Sequence, residues 1–90
     1  MTTKVQIEII NKLGLHARAA SKLVATATRF EAKIEINKEG QMADAKSIMS
    51  VLMLAASKGT WLDIQATGQD EQDALQAICD LINNRFEEAE

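Results

Sequence analysis

Two hydrophobic patterns alternate along this chain, and together they restrict the folds that it can adopt. Four segments alternate apolar with polar residues, which is typical of a β-strand with one buried side. Three other segments carry apolar residues at helical spacing, although the second of these is apolar on nearly all sides. We predict strands over residues 4–10, 32–37, 41–45 and 60–67, and helices from residue 16 or 17 to 28, over 47–57 and over 71–86. The predicted order is β-α-β-β-α-β-α.

This order predicts an α+β fold of the open-faced two-layer sandwich type. Each half-buried strand needs a layer that covers its apolar side, and three helices are enough to form one such layer. Right-handed crossovers allow all three helices to lie on one face of a four-stranded antiparallel-type sheet, with the other face toward solvent. A chain of 90 residues has no room for a second core, so residues 1–90 are expected to form a single domain.

Composition argues against several classes of function. Hydrophobic residues make up 47% of the chain, so a compact core is expected and disorder is not. The formal net charge of −3 argues against binding of nucleic acid or an anionic membrane. No apolar run approaches the roughly 20 residues of a membrane span, and the N-terminal segment is charged too early for a signal peptide. We therefore expect a cytoplasmic protein, in which the single cysteine, Cys79, packs as a small hydrophobic residue.

Local signals predict where the elements turn and end. Gly40 suits a tight reversal between the second and third strands, and the Lys-Gly pair at 58–59 suits the end of the second helix. Asp70 is expected to cap the last helix, and residues 87–90 are expected to form a frayed acidic tail. Trp61 is expected on the outer face or at the edge of the sheet.

The only histidine, His16, stands where the first predicted helix begins. Gly14 allows a tight turn before it, and Arg18 follows two residues later. The free N–H groups and the dipole of a helix N-terminus stabilise an anion. An imidazole nitrogen at that position can therefore carry a phosphoryl group, with a guanidinium as an additional hydrogen-bond donor. From spacing alone, a surface histidine without any chemistry is the commoner case and stays open.

The run GLHARAASKLV, which contains His16, resembles the active-site segment GLHARPA of the HPr family. These are the histidine-containing phosphocarrier proteins of the bacterial phosphoenolpyruvate-dependent sugar phosphotransferase system. The resemblance covers essentially the whole chain, including the run AKSIMSVLML and the GT before the last predicted strand. It implies the strand order 1-4-2-3. Ala19 stands where the family usually has proline, and we expect it to preserve the helix start, loosen its preorganisation and affect the transfer rate.

The resemblance also implies a role for each residue at this helix start. His16 is expected to accept a phosphoryl group, at Nδ1, from enzyme I charged by phosphoenolpyruvate, and to pass it to a histidine of a IIA protein or domain. Arg18 and the backbone N–H of Ala17 are expected to stabilise the phosphoryl oxygens. Such a protein is a co-substrate of phosphotransferases more than an enzyme acting alone. A monomer is expected, with no cofactor and no metal ion.

Ser47 opens the second predicted helix, where serine is a favoured N-cap. In many members of the HPr family the matching serine is phosphorylated by HPr kinase/phosphorylase, which stops phosphotransfer. The resemblance therefore makes Ser47 a candidate regulatory phosphoserine. Ser50 departs from the glycine that is common in regulated members, which argues against this role.

The second helix contains more apolar residues than one buried face requires. We expect Ile48, Met49 and Leu52 to be exposed and to bind partner proteins, because an exposed apolar patch of this kind usually marks a protein–protein site. Methionine suits a surface that must fit several partners. The alternative is that all three residues belong to the core.

Three rival functions remain open at this stage. A metal-dependent or hydrolytic enzyme is disfavoured, because one histidine and one cysteine form no ligand cluster or catalytic triad. A regulatory docking module could keep the fold without carrying phosphate, but such a module has no need of His16 or Arg18. A carrier in a nitrogen-related branch of the phosphotransferase system would share the same motif as a sugar-related one.

Overall fold

The computed structural model describes residues 2–89 and has the predicted order of strands and helices. The strands are β1 (Thr2–Glu8), β2 (Lys33–Lys38), β3 (Gln41–Asp44) and β4 (Trp61–Thr67). The helices are α1 (Ala17–Ala27), α2 (Ile48–Met53) and α3 (Glu71–Asn83), and a short 3-10 turn follows at Arg85–Glu87.

The four strands form one sheet in the order β1-β4-β2-β3, which confirms the predicted order 1-4-2-3. All three pairings are antiparallel. Along β4, Leu62, Ile64 and Ala66 are fully buried, whereas Trp61 on the opposite face is 58% exposed. The helices cover the buried face and the other face meets solvent, so the open-faced α+β fold is confirmed.

The β2–β3 hairpin is closed by the predicted tight reversal. Glu39 and Gly40 connect the strands, and both have positive φ angles, 52° and 91°. This is the type I′ geometry, whose twist matches that of the flanking strands. The side-chain Oδ1 of Asn37 accepts a hydrogen bond of 2.8 Å from the Gly40 N–H and braces the turn.

Helix α2 ends at Met53, so the predicted end at residue 57 is wrong. The N–H groups of Leu54 and Ala55 bond to carbonyls three residues back, and Ala55 has a φ of 50°, which terminates the helix. Lys38 Nζ donates a hydrogen bond of 2.8 Å to the Leu54 carbonyl. A side chain from β2 therefore bonds a carbonyl group at the end of α2, and the apolar pattern of the chain gave no sign of this helix end.

The prediction that the Lys-Gly pair at 58–59 ends the second helix is therefore wrong. The pair lies in the turn that leads into β4, where the Thr60 N–H donates to the Ser57 carbonyl at 3.0 Å. The Gly59 N–H in turn donates to the carbonyl of Ile9 at 2.7 Å, which ties this turn to the end of β1.

Asp70 occupies the N-cap position of α3, but its side chain does not cap that helix. Its carboxylate instead accepts hydrogen bonds from the backbone N–H groups of Glu31, at 2.9 Å, and Ala32, at 2.8 Å. The bond from Glu31 is the main reason why the pKa of the Asp70 carboxyl lies below its ordinary value. The side-chain carboxylate of Glu71, the first residue of α3, accepts a hydrogen bond of 3.1 Å from the Gly68 N–H just before the helix.

The chain after α3 is ordered by packing, so the prediction of a frayed tail is wrong for the described part of it. Helix α3 ends at Asn83, short of the predicted 86, and Arg85, Phe86 and Glu87 then take positive φ angles. Phe86 is fully buried, and its carbonyl accepts a hydrogen bond of 2.8 Å from Lys22 Nζ of α1. The chain end is thereby directed back toward α1. Glu90, the last residue of the predicted tail, lies outside the described residues.

Cys79 of α3 packs against the core in a half-buried position, as predicted. Burial is the main cause that raises the pKa of its thiol above the ordinary value. The thiol at this position is therefore a packing group that ionises less readily than an exposed one.

Candidate functional site

A tight turn before α1 determines where the candidate site lies. Gly14 has a φ of +66°, and its N–H donates to the Asn11 carbonyl at 3.2 Å. The next N–H, that of Leu15, donates to the Ala56 carbonyl at 2.8 Å. A Cβ on Gly14 would lie 2.4 Å from that same carbonyl oxygen, so only glycine allows the turn to pack this closely.

His16 is the N-cap residue of α1, with extended backbone angles of −75° and 178°. Its carbonyl accepts the first helical hydrogen bond, from the Ala20 N–H at 2.8 Å, but its side chain does not cap the helix. The N–H groups at the start of a helix lack intrahelical acceptors, and that of Ala17 is the first of them. The first turn of α1 contains no acidic residue, so no side chain of that turn neutralises its partial positive charge.

The imidazole of His16 contacts a carboxylate from the other end of the chain. His16 Nε2 lies 2.6 Å from Oε2 of Glu88, and the two side chains are 29% and 14% exposed. Among the described residues, Nδ1 of the same ring has no hydrogen-bond partner. One ring nitrogen is therefore occupied and the other is available.

Glu88 is held by a second contact on its other oxygen. Oε1 accepts a hydrogen bond of 3.1 Å from Nδ2 of the fully buried Asn11. Partial burial opposes ionisation of this carboxyl. The bonds from Asn11 and His16, the charge of a protonated His16 and the charge of Arg18 together outweigh that effect. The pKa of Glu88 is consequently lower than its ordinary value, and the group is a carboxylate at neutral pH.

Arg18 lies in the same surface groove as His16. The groove is lined by Lys12, Leu13, His16, Arg18, Glu88 and Ala89. Within residues 2–89 the guanidinium of Arg18 forms no hydrogen bond or ion pair, so its donors remain available to a ligand. The structure thus brings together a partly exposed imidazole, a helix N-terminus and a guanidinium, which are groups that can bind and accept a phosphoryl group.

The second constellation predicted from sequence lies on α2. Ser47 is its N-cap, as predicted, and the Ser47 hydroxyl oxygen accepts a hydrogen bond of 3.4 Å from the Ser50 N–H. Ile48 and Met49 are exposed, at 39% and 64%. Leu52 is half-buried and packs against the core, so it is less exposed than Ile48 and Met49.

Two further apolar side chains, one on α2 and one in the His16 groove, are also exposed. Met53, which follows Leu52, is 67% exposed, and Leu13 in the His16 groove is 65% exposed. These four residues, Leu13, Ile48, Met49 and Met53, are called the apolar surface below.

Sequence reasoning missed Asn11 and Glu88 as members of the site. The sequence patterns assign no role in the site to Asn11, and they place Glu88 in the predicted frayed tail. One signal was present, since Phe86 continues the apolar spacing of the last predicted helix, and its burial holds the following residues against the protein. Nothing in the sequence pattern indicated that the carboxylate would meet a histidine 72 positions away.

Within residues 2–89, no three side chains of the His, Cys, Asp and Glu types are grouped so that they could hold a metal ion. None of the helices in that range has the length and apolar character needed to cross a membrane.

Comparisons with known proteins agree on one family. The family model described as the PTS HPr component phosphorylation site matches residues 3–84. Phosphocarrier protein HPr of Pseudomonas aeruginosa is 51% identical over 87 residues, which are 96% of this chain and 97% of that relative. Phosphocarrier protein NPr of Escherichia coli is 44% identical over 89 residues, 98% of this chain and 99% of the relative. The crystal structure of HPr-C-His from Thermoanaerobacter tengcongensis matches with a TM-score of 0.95 and 42% identity, covering 98% of this chain and 99% of that chain.

Proposed function

Because this chain belongs to the HPr family of phosphocarrier proteins of the phosphotransferase system, as its sequence predicted, we propose that it carries a phosphoryl group on His16. The donor is enzyme I charged by phosphoenolpyruvate, and the acceptor is a histidine of a IIA protein or domain. The observation that supports this most directly is the half-exposed imidazole at the N-cap of α1, whose Nδ1 has no partner among residues 2–89. The phosphoryl group would be bound at that nitrogen.

Positioning and electrostatics account for most of the catalysis in such a transfer. A phosphoryl group on Nδ1 lies at the positive end of α1, where the N–H of Ala17 donates to one of its oxygens. Arg18, without an internal partner in the described chain, donates to another. Since the transferred group comes from one protein and leaves to the next, this chain is a recyclable co-substrate.

The proposed function is tested by labelling the pure protein. The protein is incubated with phosphoenolpyruvate, Mg²⁺ and enzyme I, and its intact mass is measured before and after acid treatment. We expect one added phosphate that acid removes, since a phosphohistidine is acid-labile and a phosphoserine is not. If enzyme I labels a reference carrier and leaves this protein unlabelled, the phosphocarrier proposal is refuted.

Arg18 provides a graded prediction within this proposal. Arg18→Ala should slow phosphorylation by about 10- to 100-fold, because a hydrogen bond to a charged group contributes about 1.5–3 kcal/mol. Initial rates of label uptake from enzyme I provide the measurement. Arg29→Ala, which removes an arginine that stacks on Phe30 beyond the far end of α1, is the matched control and should leave the rate unchanged. Equal rates for the two variants would remove Arg18 from the proposed mechanism.

The apolar surface is the part of the protein that we propose for contact with enzyme I and IIA partners. Leu13 lies in the His16 groove, and Ile48, Met49 and Met53 contribute flexible apolar area from α2. Leu52 is half-buried against the core, and its predicted part in this contact stays a prediction. Because the carrier must leave one partner to reach the next, this contact should be small and transient. The monomer expected from the sequence stays a prediction.

Ser47 is proposed as a second, regulatory phosphorylation site for an HPr kinase/phosphorylase. A phosphate there would add about −1.5 to −2 charges at the start of α2, next to Ile48 and Met49, and would oppose docking without unfolding the helix. Incubation with such a kinase and ATP should add an acid-stable phosphate that is absent in Ser47→Ala. Absence of that label in the wild-type protein, with the kinase active on a reference substrate, would refute this role.

The resemblance to NPr of Escherichia coli supports a second candidate, a carrier in the nitrogen-related branch. Both branches use the same chemistry on the histidine, so they are distinguished by partner choice. Transfer rates measured from enzyme I proteins of the two branches to this protein would decide between them. A regulatory docking module is the third candidate, and it predicts partner regulation that persists without phosphorylation.

A further inference from the structure

The carboxylate of Glu88 connects two different parts of the site. Oε2 lies 2.6 Å from His16 Nε2, and Oε1 accepts a bond of 3.1 Å from Asn11 Nδ2. A carboxylate has no proton to donate, so Nε2 of a neutral imidazole must be the donor in the shorter contact.

The buried side-chain amide of Asn11 requires a hydrogen-bond acceptor at position 88. Its Nδ2 also donates a hydrogen bond of 2.9 Å to the Gly14 carbonyl. If the amide were flipped, Oδ1 would face a carbonyl oxygen and a carboxylate, and both contacts would become repulsive. The present orientation holds although Oδ1 finds no hydrogen-bond donor among the described residues. The group at position 88 must therefore present an acceptor toward Asn11.

We propose that Glu88 is a positioning residue that keeps the single proton of neutral His16 on Nε2, so that Nδ1 presents its lone pair to the incoming phosphoryl group. The inference rests on the proposed carrier function. It assigns a role in phosphotransfer to a residue near the end of the chain that approaches no phosphoryl oxygen itself. The same arrangement, a carboxylate that sets the tautomer of a catalytic histidine, operates in serine proteases.

The proton balance of the transfer explains what this positioning contributes. The Nδ1 lone pair forms a bond to phosphorus while the N–P bond of the donor phosphohistidine breaks, and the donor imidazole keeps that electron pair. The His16 ring becomes cationic with its proton still on Nε2, opposite the Glu88 carboxylate. When the phosphoryl group leaves, the ring returns to the neutral form with the same proton. No proton has to move in either direction.

The tautomer is measured by ¹⁵N NMR of the unphosphorylated protein over an alkaline pH series, in spectra whose ring-nitrogen shifts no longer change with pH. In the wild type, Nε2 should show the shift of a protonated nitrogen and Nδ1 that of a bare one. Glu88→Gln should reverse the assignment, because Asn11 requires an acceptor and the new amide must then direct its NH₂ toward His16 Nε2. Glu88→Ala should leave the ring to average between the two forms. Glu87→Gln, an exposed neighbour that pairs with Lys22 at 3.4 Å, should resemble the wild type.

The rate of phosphorylation by enzyme I is the second readout. Glu88→Gln should be slower than Glu87→Gln by about tenfold or more, since a wrong tautomer is costly in other histidine catalysts. The rate of Glu88→Ala should lie between the rates of these two variants. Equal melting temperatures of the three variants and the wild type would exclude unfolding as the cause of a slower rate. Unchanged ring shifts in Glu88→Gln would overturn the proposal, even if the rate fell. A wild-type protein with the expected ring shifts that enzyme I does not label would refute the carrier function and leave the tautomer assignment standing.

Discussion

Replacement of His16 with alanine should abolish labelling by phosphoenolpyruvate and enzyme I while leaving the protein folded. His16 is the only histidine in the chain, so no second imidazole can accept the group. Its side chain is 29% exposed and contributes little to the core, so the loss should be one of chemistry. Intact mass after incubation should show no added phosphate, whereas the wild type gains one.

Ser47→Ala is the control for this experiment because it removes the other proposed phosphorylation site and keeps the imidazole. It should gain the same acid-labile phosphate as the wild type. An acid-labile phosphate on His16→Ala would contradict the assignment of the acceptor. If His16→Ala also regulated a partner as well as the wild type does, the docking module would become the better account of the protein.

Gly14→Ala should have the largest effect on stability, about 3 kcal/mol in the free energy of unfolding. The positive φ of +66° costs an alanine about 1–2 kcal/mol, and overpacking adds about 1–3 kcal/mol. The new Cβ would lie 2.4 Å from the Ala56 carbonyl oxygen and 2.8 Å from Ser57 Cα, and backbone atoms of this kind cannot move aside cheaply. Urea denaturation measures the change, and the melting temperature should fall by roughly 15 °C.

Gly40→Ala is the matched control, because Gly40 also has a positive φ, +91°, but its Cβ would meet no atom within 4 Å. We expect a loss of about 1 kcal/mol from backbone strain alone. The two variants therefore separate strain from close packing. Gly14→Ala should also slow phosphorylation, since the turn that it distorts presents His16. Equal losses of stability in the two variants would contradict the packing argument.

The fold could be predicted wherever the local pattern of apolar and polar residues is enough to determine the structure of a segment. Strict alternation along β4 places Leu62, Ile64 and Ala66 on one face whatever the neighbouring strands are. The end of α2 was missed because the apolar run continues through Leu54, a fully buried residue that is no longer helical. Its carbonyl is satisfied by Lys38, and a partner 16 positions away leaves no mark on a local pattern.

The candidate site also has one part that could be predicted from the sequence and one part that could not. A histidine, an arginine two residues later and a helix N-terminus could be predicted to lie together, because all three belong to one local segment after Gly14. The contact with Glu88 could not be predicted, since it depends on the burial of Phe86, which directs the chain end to His16 and Asn11. Neighbouring residues are enough to set a turn and a helix start, whereas the carboxylate meets the imidazole only once the core has packed.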